Sequence, residues 1–309
     1  ARKFLALGMI DRPVSAQTAV TRGMFAQYAA MFMNAGDYSY NDGKYIFDDV
    51  PADHKCYAAI RYLYENSFID TTKSTYGPDE PITLGEAAVI ICRITGYEAY
   101  AQQRGGDYSA YYTVATTNEL IPALGKSTSD TLEFTDVLEI LDTASEASMV
   151  MSNMSGNGTS YENSDVTPLY YYHKILVLED ILSAFGTYTS DGGDTTSSGG
   201  VRIGNDTFIT DIVDAYKYLG CRVDAYYVEN TDELVFIEQN ERNETFVIDG
   251  SLIESYDGTA ITYRRDENTT ATKRETLSKS MSRMYNYNYT AEYTKDDVEN
   301  AEEIIFIDN

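Results

Sequence analysis

The chain has 309 residues, 43% of them hydrophobic, which is enough for about two domains with cores of their own. Its 49 acidic residues against 23 basic ones leave a net charge of −26. That balance argues against nucleic acid, whose phosphates need a basic face, and against an anionic membrane surface. No apolar run approaches the roughly 20 residues of a membrane helix, so membrane insertion is not expected.

Taken in chain order, the first part reads mainly as helices. Residues 24–35 place Phe25, Tyr28, Ala29 and Phe32 on one face at helical spacing. Residues 55–66 do the same with Ala59, Tyr62 and Leu63, and residues 85–95 with Val89, Cys92 and Arg93. Tyr108–Leu120 is a weaker helix, and 134–149 is a strong one carrying Val137, Ile140, Leu141 and Ala144. Residues 174–185 are ambiguous, a helix by length and a strand by the Ile-Leu-Val-Leu opening. The segment 186–200 holds twelve Gly, Ser or Thr in fifteen residues and reads as a flexible loop or linker. Beyond it, Asp211–Leu219 is expected as a short helix closed by Gly220. Val223–Val228, Leu234–Glu238, Thr245–Ile248, Ala260–Arg264 and Ile304–Ile307 are expected as strands separated by turn signals.

The helices alternate in a repeat. One type ends in an apolar exit, at Leu5–Ile10, Leu63–Ile69 and Ala115–Ile121. After a turn-rich loop the next helix opens at Val20-Thr21-Arg22-Gly23, at Ile82-Thr83-Leu84-Gly85-Glu86, or at Leu132-Glu133-Phe134-Thr135-Asp136. Thr21 and Thr83 suit N-caps, and Glu86 stands three residues after Thr83 as a capping box requires. Two and a half helix–loop–helix units result. The first lacks its opening half, so the chain is expected to be a segment of a longer protein.

Residues 47–87 read Phe47-Asp-Asp-Val50, Ala59-Ile60, Phe68-Ile69, Tyr76-Gly-Pro78 and Ile82-Thr-Leu-Gly-Glu86. This series resembles the S-layer homology repeat, with its F-x-D-V opening, G-I-I exit, F-x-P loop and T-R-A-E helix start. The resemblance is best over 44–97, partial over 1–36 and degenerate over 104–149. It implies a three-lobed helical bundle over residues 1–165, with grooves that bind the anionic, pyruvylated polysaccharide of the cell wall. A connecting segment at 166–185, expected as strand, and the 186–200 loop then lead to a β-rich domain at 201–309. The fold class is α+β.

Carried over from the resemblance, Arg22 matches the arginine of the T-R-A-E motif, whose planar fork suits a carboxylate. Thr21 and Thr83 match the threonine, and Asp49 and His54 match the loop before the first helix of a repeat. Leu84 and Phe134 stand where the second and third arginines would be. Read from its own residues, the acidic loop Asp37, Asn41, Asp42 and Asp48 has oxygen-ligand character, and calcium is the metal it would suit. An acidic turn is the plainer alternative.

Two histidines and three cysteines without C-x-x-C spacing do not build the usual zinc site or a disulfide framework. Cys56 and Cys92 are expected as buried thiols, with a disulfide as the alternative. No phosphate-binding glycine motif occurs. Six Asn-x-Ser/Thr sites, at Asn153, Asn157, Asn205, Asn243, Asn268 and Asn288, are weak signals in so polar a chain. The basic residues Arg264, Arg265, Lys273, Arg274, Lys279 and Arg283 are expected to form a solvated face. The 28 tyrosines, among them Tyr226, Tyr227, Tyr263, Tyr285, Tyr287 and Tyr289, suggest contact surface for copies of the same chain.

The function expected is that of a non-catalytic, extracellular cell-surface structural protein. It would assemble into a lattice or filament and bind wall polysaccharide. The alternative is a carbohydrate-active enzyme or sugar-binding module on the same anchor. An enzyme of that kind would work through paired carboxylates.

Overall fold

A computed structural model describes residues 1–40, 42–155, 158–189, 194–212, 214–257, 260–276, 283–286 and 303–308. The chain divides into two compact units, Ala1–Lys174 and Ile175–Asn309. The first is helical apart from one hairpin and the second is built of strands, so the fold class is α+β.

The first unit contains α1 (Arg2–Ala6), α2 (Arg22–Phe32), α3 (Tyr57–Glu65), α4 (Leu84–Ile94), α5 (Glu98–Gln103), α6 (Tyr108–Thr117), α7 (Phe134–Glu146) and α8 (Pro168–His173). Three helix pairs repeat: α1 with α2, α3 with α4, and α6 with α7. Each first helix ends at a left-handed residue, Gly8 (φ 71°), Ser67 (φ 60°) or Glu119 (φ 55°). One residue further on, a backbone N–H returns to the helix: Met9 to Phe4 at 2.8 Å, Phe68 to Leu63 at 2.9 Å and Leu120 to Ala115 at 2.8 Å. This is the bonding of a Schellman stop, and it buries Met9 and Ile10, Ile69, Leu120 and Ile121 beneath the turn. The third repeat, faint in sequence, is complete in backbone.

The three second helices begin around a closed ring. Val20 N–H donates to Leu132 C=O (2.9 Å), Leu132 N–H to Ile82 C=O (3.1 Å), and Ile82 N–H to Val20 C=O (2.9 Å). The next two N–H groups of each helix, which no intrahelical carbonyl can serve, go to the loop of the neighbouring repeat. Arg22 and Gly23 donate to Glu80 and Pro78, Leu84 and Gly85 to Asp130 and Thr128, and Phe134 and Thr135 to Thr18 and Ala16. Side chains complete the caps. The Thr21 hydroxyl accepts from Met24 N–H, and Thr83 with Glu86, and Glu133 with Asp136, form capping boxes. Helix pairs α2–α3 and α4–α6 pack across repeats, and Lys3 of α1 ties to Asp142 and Glu146 of α7 at 2.7 and 3.0 Å.

Three features of this unit differ from the expected elements. The last long helix stops at Glu146, and the chain turns into a hairpin of β1 (Val150–Ser155) and β2 (Gly158–Asn163). Val150 docks its N–H on Thr95 C=O at 2.9 Å, where Gly96 (φ 89°) leaves room that a Cβ would fill 2.1 Å from Val150 O. The segment expected as strand from 166 opens instead with α8, capped by Thr167 and carrying Pro168 in its first turn. That Thr-Pro pair was a legible helix start. Helix α5 is too short to leave a periodic signal.

The second unit opens with β3 (Ile175–Phe185), a strand as expected. It continues with β4 (Tyr188–Thr189), β5 (Gly200–Ile203), β6 (Asp206–Ile209), β7 (Arg222–Val228) and β8 (Glu233–Gln239). The first half of β3 pairs with β7, from Ile175↔Val228 to Ile181↔Arg222, and its second half pairs with β5. Strand β5 pairs with β6, β6 with β8 in parallel, and β8 with β7. The circuit closes into a five-stranded Greek-key barrel, the architecture of OB-folds. Leu182, Val201, Ile203, Phe208, Val223, Leu234 and Ile237 fill it, with Ala215 and Leu219 packed in from one end. Among the described residues of the expected helix at 211–219, the helical part is a 3-10 turn, Ala215–Tyr218, ended by extended Leu219 and left-handed Gly220 (φ 83°). The described part of 186–200 connects two strands of this barrel. Gly186 N–H donates to Gly200 C=O at 3.0 Å, and the Thr196 hydroxyl donates to Gly200 C=O at 2.7 Å.

Two further three-stranded sheets follow. One contains β10 (Ile253–Tyr256), β11 (Ala260–Arg264) and β12 (Thr272–Thr276), and the other joins β9 (Glu244–Asp249) to β14 (Glu303–Asp308) and β13 (Arg283–Asn286). Three residues of the expected basic face have acidic neighbours: Arg264 lies 3.6 Å from Glu254, Arg274 is 2.8 Å from Asp257, and Lys273 contacts Glu275. Lys279, Tyr287, Tyr289, Asn157 and Asn288 lie outside the described residues. Tyr226, expected as contact surface, is buried against Phe236 with ring centroids 5.8 Å apart. The Asn243 side chain is committed to Arg222 and Asn240 backbone groups.

Candidate functional site

A groove of about 420 Å³ runs between the second repeat, the start of α2 and the face formed by α4 and α6. Its lining includes Arg22, Asp49, Tyr76, Gly77, Glu80, Glu86, Arg93 and Tyr108. Arg22 occupies the first position of α2, so the docking that fixes the helix start also fixes its guanidinium. Nε and Nη2 donate to one oxygen of Glu86, at 2.9 and 2.7 Å, and Nη1 donates to Glu80. The other Glu86 oxygen accepts from the Thr83 N–H (2.9 Å) and hydroxyl (3.2 Å), so this carboxylate caps α4 and grips Arg22 together. Burial works against the Arg22 charge, but the bonds to Glu86 and Glu80 outweigh it and hold the pKa above its ordinary value.

Asp49 is a positioning residue. Its two oxygens accept from Tyr76 N–H at 2.9 Å and Gly77 N–H at 2.7 Å, folding the 74–77 loop under the guanidinium. Gly77 is left-handed (φ 72°), and a Cβ there would lie 2.7 Å from Arg22 Nη1 and 2.9 Å from Glu80 Oε2. The Tyr76 hydroxyl donates to Arg22 C=O at 3.1 Å, and its ring stacks on Phe47 with centroids 5.5 Å apart. The other end of the groove holds Arg93, bonded to Glu98 at 2.9 Å, and the exposed ring of Tyr108.

Of the residues carried over from the family, Arg22 and Asp49 share this groove. Thr21 and Thr83 serve as caps. His54 accepts the Cys56 N–H on Nδ1 at 3.1 Å, with Nε2 3.7 Å from Asp79, at the start of α3 and away from the groove lining. Leu84 and Phe134, at the two other arginine positions, are 0% and 2% exposed, so apolar packing replaces charge there. Glu80, the second partner of Arg22, carried no motif; only folding brings positions 22 and 80 together.

Among the described residues, the acidic side chains of this loop do not converge as a cation site. Asp42 is gripped by both terminal nitrogens of Arg61, which holds its carboxyl well below the usual range. Asp48 accepts from the Tyr45 hydroxyl. Asp37 is exposed, and Asn41 lies outside the described residues. Among the described residues no group of three His, Cys, Asp or Glu side chains could hold a metal ion. The physical reason is Arg61: buried and stacked on Tyr40 at 4.0 Å, it takes up the charge that calcium would have met.

The cysteines are free and buried. Cys56 packs toward Gly23 of α2, and the Cys92 thiol donates to Tyr111 C=O at 3.5 Å on α6. Burial pushes the Cys92 and Cys221 thiols up to about 12.

The family model described as S-layer homology domain matches residues 46–88, the segment from the F-x-D-V turn to the first turn of α4. A search of curated proteins finds no match. No helix among the described residues is long and apolar enough to cross a membrane. S-layer homology domains bind cell-wall polysaccharide and mark attachment at the cell surface. Through the match at residues 46–88, the chain contains an S-layer homology domain, which indicates attachment at the cell surface or cell wall.

Proposed function

We propose that the first unit binds anionic wall polysaccharide through one groove, at Arg22, while the chain acts as a non-catalytic structural protein that associates with copies of itself. The observation that carries this reading is the ring of three helix starts, in which one arginine position keeps its charge and the other two are packed with Leu84 and Phe134. A guanidinium suits a carboxylate bidentately. The Tyr108 ring in the same groove offers a flat face to a sugar.

The groove carboxylates favour binding over hydrolysis. Asp49 is bonded to two backbone amides and Glu86 to Thr83 and Arg22. The Thr72 hydroxyl and N–H hold Asp70 below the usual range, opposite to the raised pKa a glycosidase acid needs. For assembly, copies of charge −26 must overcome mutual repulsion, which salt screens only beyond roughly 8–10 Å. Calcium shared between carboxylates of neighbouring copies would supply the neutralisation.

Co-sedimentation with purified cell walls tests the anchor. The intact chain is expected to pellet with native walls, and to stay soluble with walls stripped of their anionic polymer or when Arg22→Ala is introduced. Equal pelleting in all three cases would refute the groove. Electron microscopy and light scattering test assembly: ordered arrays that disperse in chelator are expected, and dispersed monomers at high concentration would refute it.

A further inference from the structure

The carboxylate subsite of this groove already holds a carboxylate, and it is the protein's own. Arg22 is 22% exposed at its side chain, and its two partners differ in how firmly they are held. Glu86 is 19% exposed and spends its second oxygen on the start of α4. Glu80 is 70% exposed, and among the described contacts its carboxylate has Arg22 alone. The Glu80 backbone is pinned independently of that side chain, its C=O accepting the Arg22 N–H at 2.9 Å and its N–H donating to Gly77 C=O at 3.1 Å. Rotation of one side chain therefore frees Nη1 without moving the loop.

We propose that Glu80 is a built-in competitor for the Arg22 subsite, which a carboxylate-bearing saccharide must displace in order to bind. The inference rests on reading this groove as the polysaccharide site. Glu86 orients the guanidinium and stays in place. Glu80 keeps the fork paired when the site is empty and lowers affinity for any ligand whose acid group takes its position. Weak single-site binding then makes firm attachment depend on several copies engaging one polymer together. That connects the groove to assembly.

The test is calorimetric titration of the intact chain with a pyruvylated monosaccharide. Glu80→Gln keeps the shape of the side chain and removes the competing charge. It is expected to bind roughly two- to fivefold more tightly than the unmodified chain, the range for breaking a part-exposed ion pair. Arg22→Ala is expected to abolish binding, and Asp79→Asn, an equal change of charge one residue away, to leave affinity within about twofold. If Arg22→Ala abolishes binding while Glu80→Gln binds no better than the unmodified chain, the competitor role is wrong and the groove assignment stands. Equal gains in Glu80→Gln and Asp79→Asn would make the effect one of overall charge and would also overturn it. Absence of binding in every variant, each folded by circular dichroism, would overturn both.

Discussion

Replacing Gly85 by alanine sets helix propensity against the ring that closes the first unit. Gly85 is the second residue of α4, and its N–H donates to Thr128 C=O at 2.9 Å. An added Cβ would lie 2.9 Å from that same oxygen and 2.8 Å from Tyr108 Cβ. The carbonyl cannot retreat without lengthening the bond that docks the third repeat's loop, and Tyr108 Cβ belongs to the first turn of α6. Alanine gains about 0.5–1 kcal/mol over glycine inside a helix. Overpacking against backbone costs about 1–3 kcal/mol, so the net effect is a loss of roughly 1–2 kcal/mol. For a unit of this size each kcal/mol moves the melting temperature by about 2–4 °C. A fall of about 2–8 °C in the helical transition, followed by circular dichroism at 222 nm, is therefore expected. Thr135 stands at the same place in the third repeat and already carries a side chain, so Thr135→Ala is expected to stay within about 0.5 kcal/mol. An unchanged or raised melting temperature for Gly85→Ala would show that the loop is not held as the ring requires.

Two other outcomes follow from buried titratable groups. Burial lowers the pKa of His173, against the opposing bond from its Nε2 to Phe32 C=O at 2.9 Å. The unfolded chain therefore binds this proton more readily, and the contribution of neutral His173 is complete above about 6.5 and lost as pH falls through the lowered folded value. Urea unfolding at a series of pH values from 7.5 to 5 is expected to show this loss, and an identical slope in His173→Gln would refute it. The thiols of Cys56, Cys92 and Cys221, all raised by burial, are expected to resist iodoacetamide in the folded chain and to react in denaturant; rapid labelling of the native protein would contradict that environment.

Sequence by itself determined what short-range physics controls. Thr21, and Thr83 with Glu86, announce helix starts because a side-chain oxygen three residues upstream meets an orphan N–H, and the caps form as written. The spacing of Phe25, Tyr28, Ala29 and Phe32 foretells a buried helix face. The run 174–185 stays ambiguous in sequence, a helix by length and a strand by its Ile-Leu-Val-Leu opening, and it folds as β3. The family motif spanning 46–88 is legible because its turn, exit and cap residues lie in one continuous stretch. Tertiary structure alone decided whatever depends on partners far along the chain. The third repeat is whole because Leu132 closes a ring with Val20 and Ile82, and a backbone bond places no demand on side-chain identity. The barrel closes because one strand exchanges β7 for β5 halfway along its length. Asp42 belongs to Arg61 instead of a cation, and Arg22 is shared between Glu86 and Glu80, positions 64 and 58 residues away. Charges attract by distance in space, and the order of residues along a chain does not carry that distance.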